Sequence, residues 1–465
     1  MSSSIACCLL LHNKHITPPP INQEMHQMDA VTMKRRRLNQ WNLLLSLTTI
    51  VLSCCVIDAL NAEEFPTNAT LHRSLLQLDY ESAPQLSFAT VTVPLHASSG
   101  THHVHVYVGS PPQRQTLIVD TGSRLMAFPC EPCHQCGKHA SNYYHPGLST
   151  TDKIPSCGTC LLKGVSKCSD FADRCIISQK YTEGSSWTAY ETEDLVWLGS
   201  SDREESIEEY MKLAVPYAFG CQTSEKGLFR KQYADGILGL AIHPTSLIRS
   251  LYDAQSISRE AFSLCLTRTG GSLSVGGIAS DERHLEDMKF SPIARDHGWF
   301  ALQVWDVMVG GISVASGNST ALQAFHGGKG TILDSGTTDT YLPQAVAEKF
   351  SLAWMSLTGL PFKKRKKRYS WTEFLTLPAI SFVFAGNVTL TMEPSSYMEG
   401  VPTTPDWRGT KELVNRVYLD EPEGAVLGAN TMFGHDILFD TQGQRVGLAR
   451  ADCEMQINGV VALEL

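Results

Sequence analysis

The sequence predicts a mostly β chain folded as two related lobes, and three observations predict it. The strings Ile118-Val119-Asp120-Thr121-Gly122-Ser123 and Ile332-Leu333-Asp334-Ser335-Gly336-Thr337 repeat one pattern in the two halves of the chain: apolar, apolar, Asp, hydroxyl, Gly, hydroxyl. Each is followed, at a similar remove, by an apolar run ending on Gly: Gly236-Ile237-Leu238-Gly239 and Ala425-Val426-Leu427-Gly428. Strand-like stretches punctuated by Gly and Pro fill most of the remainder, with few long helical patterns. A chain of 465 residues is too long for one simple core and suits two lobes of ordinary size.

The repeated string reads as a buried strand that delivers a carboxylate at its end. Leu117-Ile118-Val119 is a continuous apolar, largely β-branched run. Gly122 and Gly336 allow a sharp turn and a close approach of the opposite lobe's backbone. The hydroxyls of Thr121 and Ser335 can bond across to the other loop, and those of Ser123 and Thr337 can hold the outer carboxylate oxygens. Two carboxyls about 3 Å apart cannot both ionise, so they share a proton. One then acts as base on a water while its protonated partner donates to a carbonyl oxygen, which needs neither a metal nor a covalent intermediate. Asp120 and Asp334 are therefore the candidate catalytic pair, and no cofactor is expected.

Charged residues are 18% of the chain, and the formal net charge of −9 argues against nucleic acid as a partner. Lys34-Arg35-Arg36-Arg37 precedes the apolar run Leu43 to Ile57, with small residues at Ala59 and Ala62. That order reads as a secretory signal. Residues 1–62 are accordingly assigned to an N-terminal extension and signal peptide, with a signal anchor as the alternative, and 63–94 to a propeptide or linker. The N-terminal lobe is placed at 95–270 and the C-terminal lobe at 271–465. A membrane is a partner only if the apolar segment stays uncleaved; otherwise the chain is expected as a monomer in the secretory lumen or outside the cell.

Of the 14 cysteines, Cys7, Cys8, Cys54 and Cys55 fall in the leader. The other ten are Cys130, Cys133, Cys136, Cys157, Cys160, Cys168, Cys175, Cys221, Cys265 and Cys453. An even number in an exported chain reads as disulfides, with connectivity open. The Cys-x2-Cys spacings are also compatible with zinc, but an oxidising compartment favours disulfides over thiolates. Asn68, Asn318 and Asn387 are glycosylation candidates. His103 and His105 share one face of an alternating strand, read as exposed. Lys363 to Arg368 and the acidic stretch around Glu204 to Glu209 read as surface loops.

The four ordered motifs resemble the pepsin-type (A1) aspartic proteases over roughly residues 90 to 455. The resemblance implies a bilobal pepsin-like fold, a Cys-rich insert in the N-terminal lobe, and hydrolysis of peptide or protein substrates. It also implies that Cys265, in Ala261-Phe262-Ser263-Leu264-Cys265, bridges to Cys453, leaving eight cysteines to pair within the first lobe. A mobile hairpin over the cleft is implied at Tyr181-Thr182-Glu183-Gly184, with Tyr181 near the carboxylates and Gly184 at the bend. The segment Phe128-Pro129-Cys130-Glu131-Pro132-Cys133-His134-Gln135-Cys136 is most similar to plasmepsin V, with nepenthesin-like members behind it. In that branch the hairpin glutamate contacts a basic substrate side chain, a role that would fall to Glu183. The chain departs from the pattern at Arg124, where the family carries a small hydroxyl residue, and at Thr182, where plasmepsin V carries a free Cys. A catalytically silent pepsin-fold binding or inhibitor-like protein is the alternative; such relatives lose an Asp or the hairpin architecture, and both are kept here.

Overall fold

The computed structural model describes residues 88–98, 100–199, 211–294, 298–362, 366–402, 407–454 and 462–463, all within one unit spanning 84–465. The signal segment, Asn68, the Glu204–Glu209 stretch and Lys363 to Arg365 lie outside the described residues.

Alternation starts the fold. In the strand Phe88–Ser98, Val91, Val93 and Leu95 are buried, and residues 91–96 pair antiparallel with Gly270–Val275. That strand pairs in turn with Ala261–Leu266, and the sheet continues through His435–Asp440 and Arg445–Arg450 to Lys289–Pro292. Residues 88–94, within the segment expected as propeptide or linker, are strand residues of this sheet, where Val91 and Val93 cover core, and the expected lobe junction at residue 270 coincides with the start of the strand Gly270–Val275.

From the same sheet the first lobe continues through Thr101–Val108, Gln113–Asp120, Gly236–Gly239, Met126–Pro129, Val215–Lys226, Ser186–Gly199 and Cys175–Lys180. The second lobe holds a five-stranded sheet ordered Ala301–Leu302, Thr331–Asp334, Ala425–Gly428, Thr340–Pro343, Val417–Glu421, with two smaller sheets around it. Helices are short; the longest described α-helix is Ala347–Thr358. No helix among the described residues is long and apolar enough to cross a membrane.

The internal repeat is visible in the register. Gln113–Asp120 runs parallel to Gly236–Gly239 with Asp120 opposite Gly239, and Met126–Pro129 pairs antiparallel on the far side. Thr331–Asp334 runs parallel to Ala425–Gly428 with Asp334 opposite Gly428, and Thr340–Pro343 pairs antiparallel beyond it. Both carboxylate strands are interior strands covered on two faces, which explains their unbroken apolar composition. Leu117, Val119 and Leu333 are essentially inaccessible to solvent.

The ten cysteines close five disulfides: Cys130–Cys221, Cys133–Cys136, Cys157–Cys168, Cys160–Cys175 and Cys265–Cys453. The first four lie within the N-terminal lobe: Cys130–Cys221 and Cys160–Cys175 tie the Cys-rich segment to strands of its sheet, while Cys133–Cys136 and Cys157–Cys168 close short loops. Cys265–Cys453 spans 188 residues, and closing a loop of that length stabilises by about 2–5 kcal/mol. Cys160, Cys175 and Glu191 bring three ligand-type atoms together, but the two sulfurs are bonded to each other and offer no thiolate.

His103 corrects the sequence reading. It is buried, not exposed, because the face it projects from is covered by the rings of His96 and Tyr233. Its ring lies 5.8 Å from His96 and 5.6 Å from Tyr233, and His96 stacks on His105 at 5.2 Å.

Candidate active site

Each carboxylate is the last residue of its buried strand, so a rigid backbone sets its position. The two following turns then meet. The Ser335 amide donates to Thr121 Oγ1 at 2.9 Å, and the Thr121 amide donates to Ser335 Oγ at 3.1 Å. Both hydroxyls pass the bond on across the junction: Thr121 Oγ1 donates to the Leu333 carbonyl and Ser335 Oγ to the Val119 carbonyl, each at 2.8 Å. All four groups are buried, where a hydrogen bond is strengthened and a missing one is costly.

This grip puts glycine against carboxylate on each side. A Cβ on Gly122 would fall 2.6 Å from the Asp334 carboxyl carbon, and one on Gly336 would fall 2.2 Å from Asp120 Oδ1. No side chain fits in either place, so the approach of the loops depends on both glycines.

The donors around the two acids are unequal. Asp334 accepts from the Gly336 amide at 3.1 Å, the Thr337 amide at 3.2 Å and the Thr337 hydroxyl at 2.8 Å. Asp120 accepts the Gly122 amide at 2.8 Å. The Ser123 hydroxyl is close enough to act on both Asp120 and Tyr181, yet its oxygen is buried without a hydrogen bond of normal geometry. Burial first, and then the neighbouring Asp334 charge, push the Asp120 carboxyl up to about 8. Asp120 thus sits in the setting that favours the neutral acid, while Asp334 is held by three donors.

The hairpin Cys175–Lys180/Ser186–Gly199 carries Tyr181 back over the site. Its tip closes with the Tyr181 amide donating to the Ser185 carbonyl at 2.9 Å and Gly184 at φ 93°, a backbone state that suits glycine. The Trp187 indole donates to the Tyr181 hydroxyl at 3.3 Å, and the Tyr181 ring packs on Phe229 at 5.0 Å. Burial and the nearby Asp120 charge both raise the Tyr181 phenol above its ordinary value, which keeps it a neutral donor. Glu183 stands exposed at the tip. Elsewhere, Asn318 caps the helix Ser319–His326 and Asn387 is exposed in a turn between two strands.

Sequence reasoning missed four supporting contacts. The Trp299 indole donates to the Gly122 carbonyl at 3.0 Å, so the second lobe also holds the first turn. Arg124 lies over the Trp299 ring, 5.3 Å from its centroid. Glu225, wholly buried on the strand behind the hairpin, accepts from the Gly137 amide at 2.8 Å and lies 3.1 Å from His139 Nε2, tying the Cys-rich insert to the hairpin's base. Glu191 similarly receives the Leu161 amide and the Ser166 hydroxyl. A buried acid at an alternating strand position was the available signal for both glutamates.

Comparison with known proteins agrees with this geometry. Residues 204–451, over half the chain, match the family described as eukaryotic aspartyl protease, and residues 102–277 match that described as xylanase inhibitor N-terminal. Aspartic protease 5 of Toxoplasma gondii is 33% identical over 196 residues, covering 38% of this chain and 19% of that protein. Plasmepsin V of Plasmodium falciparum is 31% identical over 185 residues, covering 39% and 30%. Both matches thus span under a third of the relative's length. Nepenthesin-2 of Nepenthes gracilis is 28% identical over 319 residues, covering 65% of this chain and 68% of that protein. With the two-lobed β architecture, the duplicated Asp-hydroxyl-Gly turns and the family match over more than half its length, this chain belongs to the pepsin-type eukaryotic aspartyl protease family.

Proposed function

We propose that the chain is an aspartic endopeptidase that hydrolyses peptide bonds with Asp120 and Asp334 as its catalytic pair. The observation that carries this reading is the reciprocal Thr121–Ser335 bonding, which clamps the two turns so that each glycine faces the other lobe's acid. In the reaction, ionised Asp334 takes a proton from a water whose oxygen attacks the scissile carbonyl carbon, while Asp120 gives its proton to the carbonyl oxygen. The product of this step is a neutral gem-diol. Its collapse breaks the C–N bond as the amine takes a proton from the pair and one diol hydroxyl returns a proton to it, leaving one shared proton as at the start. Tyr181, neutral and held by Trp187, helps close the site and supplies a hydroxyl near the pair. Glu183 at the exposed hairpin tip favours a basic substrate side chain.

The apolar leader, five disulfides and the sequons Asn68, Asn318 and Asn387 support a chain that works in the secretory lumen or outside the cell, as a monomer acting on peptides or proteins. The second reading, a silent binding protein, draws on the xylanase-inhibitor family match in the first lobe. Against it stand both acids and all four clamp bonds. Incubating the purified chain with a defined peptide library and identifying fragments by mass spectrometry separates the two: internal cuts support the peptidase, and an intact library at every pH supports the binding protein. N-terminal sequencing of secreted protein tests the leader and propeptide assignments.

A further inference from the structure

We infer that Arg124 forms an anion-recognising subsite beside the catalytic pair, selecting peptides that carry an Asp or Glu side chain near the scissile bond. The inference rests on the endopeptidase reading and adds a substrate class to it.

Three observations carry it. Arg124 is exposed, and follows the Asp120 turn directly. Its guanidinium lies over Trp299, whose indole is bonded to Gly122 within that turn, and it packs against Gly298. Among the described residues, no carboxylate pairs with it. Other arginines of this chain without an acid partner are spent elsewhere, Arg174 over the Tyr190 ring and Arg268 on the Ser395 and Met398 carbonyls.

The backbone beneath the side chain is pinned. The Ser123 carbonyl accepts the Ala241 amide at 2.9 Å, and the Arg124 carbonyl accepts the Thr245 hydroxyl at 3.2 Å. Thr245 is fixed in turn by His243 at 2.7 Å. His243, the titratable neighbour on this side, is held toward its neutral form by burial and by the Arg124 charge, and an imidazole carries no negative charge in either protonation state. Stacking on the indole restricts the long side chain before substrate arrives, which lowers the ordering cost of binding. A planar guanidinium with its in-plane donors open matches a carboxylate in bidentate fashion. A small hydroxyl residue here would leave this position beside the Asp120 turn uncharged.

The test uses the peptide library, followed by matched peptides in which the selected Glu is replaced by Gln. The wild type is expected to cleave the Glu peptide with a kcat/KM about five- to tenfold higher than the Gln peptide, a ratio that narrows as salt is raised. Arg124→Ser is expected to bring the ratio to about one, and Arg124→Glu to favour a Lys peptide over its Gln match. Each ratio is internal to one variant, so partial loss of folded protein cancels. A wild type that cuts peptides with no acid preference, or an Arg124→Ser that keeps the preference, overturns this inference alone. A wild type that cuts no peptide overturns the endopeptidase reading and the inference with it.

Discussion

Thr121 and Ser335 exchange amide-to-hydroxyl hydrogen bonds across the two lobes, at 2.9 and 3.1 Å, and each hydroxyl then donates to a carbonyl of the opposite strand. Ser335→Ala removes the acceptor of the Thr121 amide and the donor to the Val119 carbonyl, leaving both buried and unpaired. It is expected to cost about 1–3 kcal/mol in denaturant unfolding and to lower kcat/KM. Ser335→Thr, which restores the pattern of the first turn, is expected to keep most of both. Unchanged stability in Ser335→Ala contradicts the clamp.

Gly122→Ala and Gly336→Ala place a methyl group on the opposite carboxylate, at 2.6 and 2.2 Å. Either variant is expected to lose nearly all hydrolysis, because the acids can no longer share a proton. Circular dichroism and activity on one preparation check this: native-like spectra with lost turnover fit the account, and wild-type turnover does not.

The pH dependence follows from Asp120, whose carboxyl is moved by burial and the Asp334 charge from 3.8 to about 8. Between about pH 4 and 8 the folded chain keeps a proton that the unfolded chain has released, so this group's contribution to stability falls as pH rises through that window. Activity needs the shared proton. The basic limb of the kcat/KM profile is therefore expected near pH 8, above the ordinary carboxylate range. A basic limb below pH 5 contradicts the burial argument.

His103 carries the opposite sign. Burial, then His96, His105 and His102, lower its imidazole from 6.5 to about 4. Its neutral form suits the folded state, so its contribution is complete above about pH 6.5 and is lost as pH falls toward 4. Tyr233 and the Ser98 hydroxyl also face the ring, and neither supplies a counter-charge at these pH values. The thermal midpoint is expected to drop over that window, and less so in His103→Leu. Equal drops in both proteins remove His103 from the account.

The candidate site was legible in the sequence where local pattern and chemistry coincide. Asp120 and Asp334 stand out because an apolar strand, a hydroxyl and a glycine must surround an acid that is buried against another. The Gly239 and Gly428 runs stand out because strands beside those turns need apolar residues and no bulk. Trp299 does not, since its bond to Gly122 joins residues 177 apart and nothing local marks it. Arg124 was visible only as a departure; the ring beneath it gives that departure a function. His103 was misread because alternation shows which residues share a face, not whether the face meets water. The pairing of Cys157 with Cys168 and of Cys160 with Cys175 depends on how the insert folds, which spacing leaves open.

In the proposed reaction Asp120 and Asp334 act together on one water. Its most direct measurement is peptide hydrolysis by purified, folded Asp120→Asn and Asp334→Asn beside the wild type. Both variants are expected to lose all measurable turnover while keeping the wild-type circular dichroism spectrum. Substantial cleavage by either one would contradict the shared-proton mechanism and with it the assignment of the pair.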